Sequence, residues 1–131
     1  MSRRVYVYRN LHTGTWSVRA LAGPDRGRVV AHPAEVFLRD AVFRVSAAGR
    51  DRVRSSGVRC VHAGVVGYVT TRARIPRVAA ETVNYNPFRN DAFVRCRDGV
   101  VVTAADVVHF PPQPRGASAP LRAWELMPST A

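Results

Sequence analysis

The sequence predicts a mainly β protein: a small curled antiparallel sheet or barrel of about seven short strands, with one short helix and a Pro-rich C-terminal tail. Short runs rich in Val, Tyr, Phe and Trp alternate with turn sequences that contain Gly, Pro, Asn or Asp. Only residues 46–57 have a helical pattern, with Ser46 at the N-cap position and Gly57 just beyond the last turn. We therefore expect strands to supply most of the core.

The first two strands are predicted to form a β-hairpin over residues 5–19. Val-, Tyr- and Trp-rich runs flank Thr13 and Gly14, a pair of residues typical of the loop between antiparallel strands. With these two residues as the turn, Tyr8 would lie opposite Arg19. The hairpin fixes the order of side chains on both of its faces.

Alternation along the predicted strands separates the hairpin into two faces with different chemistry. One face is nearly dry, and Arg9 is its only charged residue, so that arginine needs a carboxylate, an anionic ligand or a position at the sheet rim. The other face is a row of hydrogen-bonding and stacking side chains, namely Tyr6, Tyr8, Asn10, His12, Thr15, Ser17 and Arg19. We interpret this row as a binding surface, and its alternative is the ordinary solvated face of an antiparallel sheet.

Further strands follow, at residues 28–32, 35–45, 58–70, 93–97, 100–102 and 107–110. The strand at 35–45 is expected to be interrupted near Asp40, and Gly64 and Gly67 would permit a close approach of another backbone. Asp98 and Gly99 are the strongest turn dipeptide and predict a second hairpin. Residues 1–110 are thus predicted to form one β-rich domain, followed by a Pro-rich linker and apolar tail at 111–131 that would dock on the domain or on a neighbouring subunit.

The composition favours an anionic partner. The formal net charge is +11, and all twenty basic residues are arginines against nine acidic residues. Part of this bias reflects codon usage, but such a surplus still attracts nucleotides, nucleic acid or another polyanion, and the planar guanidinium suits phosphate. The four histidines have no metal-ligand spacing, so no cofactor is predicted, and no apolar run approaches membrane-spanning length. Both cysteines, Cys60 and Cys96, are expected to be buried reduced thiols.

Candidate binding residues also occur outside the hairpin. Arg28 and His32 share a predicted strand face, while Arg50 and Arg54 lie one helical turn apart, where a solvated helix face is the alternative. The segment after residue 83 could clamp a base between an aromatic ring and an arginine, or it could be a packed structural turn. The predicted ligand-binding residues are Tyr8, Arg9, Asn10, His12, Ser17, Arg19, Arg28, His32, Arg50, Arg54, His62, Tyr85, Asn86 and Arg89.

Five short motifs resemble a group of short proteins encoded by bacteriophages and prophages. These are VYRNLH, WSVR, GRVVAH, VHA and NYNPF, at residues 7–12, 16–19, 27–32, 61–63 and 84–88. The resemblance implies a small phage accessory protein, made in the bacterial cytoplasm and concerned with host nucleic acid or host defence. It assigns no activity to any of these positions.

Three functions remain open from the sequence. The leading hypothesis is non-catalytic binding of a phosphate-bearing nucleotide, by a phage anti-defence protein that sequesters a host signal. The second is a nucleic-acid-binding accessory protein. The third is a small nucleotide-processing enzyme that uses His12 or His62, although no carboxylate can be placed to orient either one, and no catalytic residue is assigned.

Overall fold

A computed structural model describes residues 3–10, 15–56, 63–85, 92–112 and 120–128. In chain order the elements are β1 (Arg4–Arg9), β2 (Trp16–Ala20), β3 (Val29–Ala31), β4 (Val36–Val45), α1 (Ala47–Ser56), β5 (Ala63–Thr70), a 3-10 turn (Arg72–Arg74), β6 (Glu81–Val83), β7 (Val102–Phe110) and β8 (Leu121–Pro128). The eight described strands form one antiparallel sheet in the order β3-β2-β1-β5-β4-β7-β8-β6.

The sheet is strongly curled but is not closed into a barrel. Although three strands separate β2 from β7, the rings of Trp16 and Phe110 meet edge to face with their centroids 5.0 Å apart. Trp16 Nε1 also donates a hydrogen bond to the carbonyl oxygen of Pro111 (3.1 Å). The edge strands β3 and β6 have three residues each, so they offer few backbone groups for closure. The predicted antiparallel sheet is confirmed, and the barrel alternative is not.

The strands of the first hairpin pair in a different register from the predicted one, but each side chain lies on its predicted face. Tyr8 pairs with Ser17 and Tyr6 pairs with Arg19, a shift of two residues from the predicted pairing. The Asn10 amide donates to the carbonyl oxygen of Thr15 (2.9 Å), so the connection is longer than two residues, and the predicted turn lies outside the described residues. A shift of two leaves every side chain on its original face, because the period of a strand is two. The predicted dry and polar faces are therefore confirmed.

Tyr85 ties the segment after β6 to the core. Its side chain is fully buried, and its hydroxyl donates to the carbonyl oxygen of Ala63 (2.6 Å) while accepting from the amide of Arg9 (3.0 Å). Burial raises the pKa of the phenol well above its usual value. Tyr85 was predicted to contact a ligand, but it packs instead between the rings of Trp16 and Phe93.

A bulge in β4 resets the alternation of that strand. The register with β5 shifts between Arg39 and Val42, and Asp40 has a positive φ of 49°. A Cβ atom on Gly67 would lie 2.9 Å from the carbonyl oxygen of Arg39, so only glycine fits beneath the bulge. The predicted interruption near Asp40 and the predicted close backbone approach are both confirmed.

The helix follows β4 directly. Ser46 Oγ accepts a hydrogen bond from the amide of Gly49 (3.2 Å), which places it as the N-cap of α1. The side chains of α1 at positions 48, 51, 52, 55 and 56 are exposed.

The C-terminal segment is part of the sheet. The sequence analysis placed residues 111–131 outside the domain, but Leu121–Pro128 forms β8, between β7 and β6. Leu121 and Trp124 are buried, and Trp124 Nε1 donates to the carbonyl oxygen of Val78 (3.1 Å). The Pro-rich stretch before this strand conceals its alternating pattern, in which Leu121 and Ala123 face one side and Arg122 the other.

The predicted turn at Asp98 and Gly99 is confirmed, but the strands predicted at 93–97 and 100–102 are reduced to an isolated bridge between Val94 and Val101, followed by β7. The Arg95 amide donates to the carbonyl oxygen of Val100 (2.8 Å), and Gly99 supplies a positive φ of 73°. Cys96 lies in this turn and is an exposed free thiol, so its predicted burial is wrong; Cys60 lies outside the described residues.

We predict that Tyr85→Phe destabilises the protein by about 1–3 kcal/mol, because the Ala63 carbonyl and the Arg9 amide both lose a buried partner. Urea unfolding measures this change. Tyr68→Phe is the matched control, since Tyr68 is partly exposed, and we expect a change within about 0.5 kcal/mol. Equal stability of Tyr85→Phe and wild type would contradict this role of the hydroxyl.

We also predict a pH-dependent contribution from Asp98. Its hydrogen bonds from Arg95 (2.7 and 3.0 Å) and from the Val100 amide lower its pKa to about 2. The pKa of this carboxyl group is about 3.9 in the unfolded chain, so its lower pKa in the folded state stabilises the folded protein at pH values above about 4. This stabilisation is lost as the pH falls through the folded-state pKa. The stability advantage of wild type over Asp98→Asn should therefore shrink from about pH 4 to pH 2. An advantage that is constant over this range would refute the assignment.

Candidate functional site

The side of the sheet that faces away from the core carries tyrosines and arginines. Because Val5 and Val7 of β1 point into the core, the alternate residues of β1 point the other way, and their paired neighbours on β2 and β5 follow. We call this surface the tyrosine face; its polar and aromatic side chains include Tyr6, Tyr8, Ser17, Arg19, Arg39, Arg44 and Tyr68.

Arg19 and Tyr8 form a stacked pair at one end of the tyrosine face. The guanidinium carbon of Arg19 lies 5.4 Å from the centre of the Tyr8 ring, and Nη2 lies 3.5 Å from the Tyr8 hydroxyl. Arg19 Nε is buried and has no hydrogen-bond partner among the described residues. None of the described carboxylates forms an ion pair with Arg19. The pair therefore presents an oriented cation with an unused donor.

A short row of hydrogen-bonding side chains lies beside this pair. Asn10 Nδ2 donates to Ser17 Oγ (3.4 Å), and His32 Nδ1 lies 3.5 Å from the same oxygen. Ser17 is buried, whereas His32 is exposed. The structure thus brings together five of the predicted binding residues, Tyr8, Asn10, Ser17, Arg19 and His32.

Tyr6 occupies the middle of the tyrosine face. Its ring centre is 5.5 Å from that of Tyr8. Tyr6 is paired with Arg19, and Arg44 is paired with Gly64, beside the Tyr6 ring. Burial raises the pKa of the Tyr6 phenol, and the positive charges of Arg19 and Arg44 oppose that rise. Arg44 is exposed and, within the part of the chain that the structure describes, makes no ion pair.

A second arginine–tyrosine pair lies at the other end of the face. The guanidinium carbon of Arg39 is 4.7 Å from the centre of the Tyr68 ring, and the two residues are paired across β4 and β5. Arg39 Nη1 also contacts Asp40 Oδ2 at 2.6 Å. Part of the Arg39 charge is therefore neutralised within the chain.

The other predicted binding residues lie elsewhere. Arg9 is in the core, 1% exposed, with its guanidinium carbon 5.3 Å from the centre of the Trp16 ring, and burial lowers its pKa. Arg28 is exposed just before the edge strand β3. Arg50 and Arg54 belong to α1, but their side chains lie outside the description. Also outside the described residues are His12, His62, Asn86 and Arg89.

Sequence reasoning missed Arg39, Arg44 and Tyr68, and it left Tyr6 out of the site although it placed it on the right face. The missing signal was the alternation of β4, which the bulge at Asp40 resets. Without the bulge, Phe43 would share the face of Arg39, and Arg44 would point into the core.

An apolar cavity of about 570 Å³ lies on the opposite side of the hairpin. Its polar lining includes Arg3 and Glu35, and its apolar lining includes Val5, Val18 and Val36. Glu35 accepts a hydrogen bond from His109 Nε2 (2.8 Å), which lowers the pKa of the carboxyl group. None of the residues around this cavity was predicted to bind a ligand.

Metal-binding clusters and membrane-spanning helices are both absent from the described ranges. No three His, Cys, Asp or Glu side chains there are grouped so that they could hold a metal ion. The helices of these ranges are too short to cross a membrane.

We predict that Gly64 is required for the position of Tyr6. A Cβ atom at residue 64 would lie 2.6 Å from the Tyr6 ring, so Gly64→Ala should displace the ring and cost about 1–3 kcal/mol. In a Tyr6→Ala background the same substitution should cost less, giving a coupling energy of at least about 0.5 kcal/mol in a double-mutant cycle measured by urea unfolding. Additive effects would show that the two residues are not in contact.

Comparison with known proteins agrees with the phage resemblance. A family model described as "Mycobacterium phage L5 gene 82 protein" matches residues 1–116, which include the whole tyrosine face. The "Gene 82 protein" of Mycobacterium phage L5 is 38% identical over 113 residues, covering 82% of this chain and 89% of that protein. No solved structure matches. The predicted resemblance to short phage proteins is confirmed: the chain belongs to the Mycobacterium phage L5 gene 82 protein family.

Proposed function

We propose that this phage protein binds a phosphate-bearing nucleotide on the tyrosine face and releases it unchanged. The observation that carries the proposal is the stacked Arg19, whose buried Nε has no partner among the described residues. A guanidinium that stacking holds in place, and that no described carboxylate neutralises, is well suited to receive a phosphate oxygen.

The neighbouring side chains suit the rest of a nucleotide. The rings of Tyr6 and Tyr8 are partly exposed and can stack on a base. Asn10 and His32 each lie within 3.5 Å of Ser17 Oγ, and the three side chains supply both donors and acceptors, as the edge of a base requires. The net charge of +11 adds a long-range attraction for any anion.

The same row supports binding over catalysis. Within the described part of the chain, the hydrogen-bond partners of Ser17 and His32 include no carboxylate that would orient the imidazole as a general base. In a phage protein, a binder of this kind would act in the host cytoplasm by sequestering a nucleotide signal on which host defence depends. A sequestering protein needs affinity and abundance, and it needs no turnover.

We predict that Arg19→Ala and Tyr8→Ala each weaken nucleotide binding at least tenfold, because one removes the phosphate donor and the other the ring that orients it. Isothermal titration with the ribonucleoside mono- and triphosphates and cyclic dinucleotides measures the affinity. The matched control is Arg74→Ala, which removes the same charge from an exposed position beyond the far end of β5. We expect its affinity to stay within about twofold of wild type.

Chromatography of the same mixtures tests the absence of turnover. Recovery of each nucleotide unchanged supports sequestration, whereas product formed by the wild type would make the protein an enzyme. Equal losses in Arg19→Ala and Arg74→Ala would reduce the effect of Arg19 to net charge. If no nucleotide or oligonucleotide binds, the tyrosine face is an ordinary solvated surface.

A further inference from the structure

We infer that the tyrosine face binds an extended single strand of nucleic acid, at least three nucleotides long, in preference to a free mononucleotide. This inference rests on the proposed function, since it names the ligand of the same site. It adds residues of β5 and β4 that the hairpin alone does not supply.

The three tyrosines lie on one line across the sheet. Tyr8 and Tyr6 are two residues apart on β1, which separates their Cα atoms by about 7 Å. Tyr6 pairs with Val66, so Tyr68 lies at the diagonal position on β5, about 7–8 Å farther on. The line is thus about 14 Å long and has nearly even steps.

This spacing selects among forms of nucleic acid. Stacked bases in a duplex follow one another at about 3.4 Å, which is clearly less than the 5.5 Å between the ring centres of Tyr6 and Tyr8. Each ring can therefore receive a different base only if the strand is stretched and its bases are unstacked, as in single-stranded complexes. A mononucleotide would reach one ring and leave the others empty.

The arginines follow the same line. Arg19 stacks on Tyr8, and Arg39 stacks on Tyr68. Arg44 is paired with Gly64, where a Cβ atom would lie 2.6 Å from the Tyr6 ring. Each ring therefore has a cation beside it, as a chain with one phosphate per base requires. Because Asp40 neutralises part of the Arg39 charge, the Tyr68 end should bind phosphate more weakly than the Tyr8 end.

The side chains of this line are aromatic rings and guanidinium groups, which contact the faces of bases and the phosphates of a strand and do not read the edges of bases. The rings of Tyr6, Tyr8 and Tyr68 are partly exposed, and stacking on an aromatic ring accepts any base. We therefore expect weak sequence preference and strong dependence on strand length. Salt dependence should steepen with length, because each additional phosphate contact contributes a slope of about −0.7 for single strands.

The test compares thymidine monophosphate with oligothymidylates of two, three and six nucleotides by isothermal titration, with oligouridylates in parallel to separate DNA from RNA. Wild-type affinity should rise with each nucleotide up to three and then rise little. Tyr68→Ala should lower trimer affinity by roughly 5- to 150-fold, the loss of one base–aromatic stack, and should lower monophosphate affinity by a smaller factor. Tyr68→Phe, which keeps the ring, should bind the trimer within about twofold of wild type.

The outcomes separate this inference from the proposed function. Three results would each overturn single-strand binding and leave nucleotide binding standing. These are a trimer that binds no tighter than the monophosphate, a Tyr68→Ala variant that binds the trimer like wild type, and a stable DNA duplex, titrated alongside, that binds as tightly as the single strand. Absence of binding to every probe would overturn both. Thermal unfolding of the variants, expected within a few degrees of wild type, verifies that they are folded.

Discussion

The tyrosine face exists because the opposite face of the same strands is buried. Val5 and Val7 are buried in the core on one side of β1. Because successive side chains of a strand point to opposite sides, Tyr6 and Tyr8 must point away from the core. The tyrosine face is therefore a direct consequence of the fold. Any change that rotated β1 to expose its tyrosines more fully would also withdraw its valines from the core.

The bulge at Asp40 extends this surface beyond the hairpin. It returns Arg44 to the side of Arg39, although the two residues are five positions apart and would point to opposite sides of a regular strand. Gly67 makes room for the bulge, and Gly64 makes room for the Tyr6 ring. Two glycines of β5 thus make room on the two sides of the sheet: Gly67 for the backbone of the β4 bulge, and Gly64 for the side chain of Tyr6.

What could be predicted from the sequence depended on the distance between the partners along the chain. The faces of the first hairpin followed from alternation alone, and they survived an error of two residues in register. The β5 and β4 part of the site required pairings between distant segments and the phase shift at Asp40, which no local pattern reveals. Tyr85 was misjudged because its neighbours resemble a surface loop, whereas the hydroxyl is satisfied by backbone groups from β1 and β5.

The order of strands in the sheet has a consequence for how the chain folds during synthesis. β1 pairs with β5, and β4 with β7, so the centre of the sheet forms only when distant segments meet, as between Val36 and Phe110. Chains dominated by such contacts fold slowly. Until Phe110 leaves the ribosome, Trp16 lacks one of its aromatic packing partners, and the core of the sheet is incomplete. We expect the nascent chain to be prone to aggregation at this stage and to depend on host chaperones.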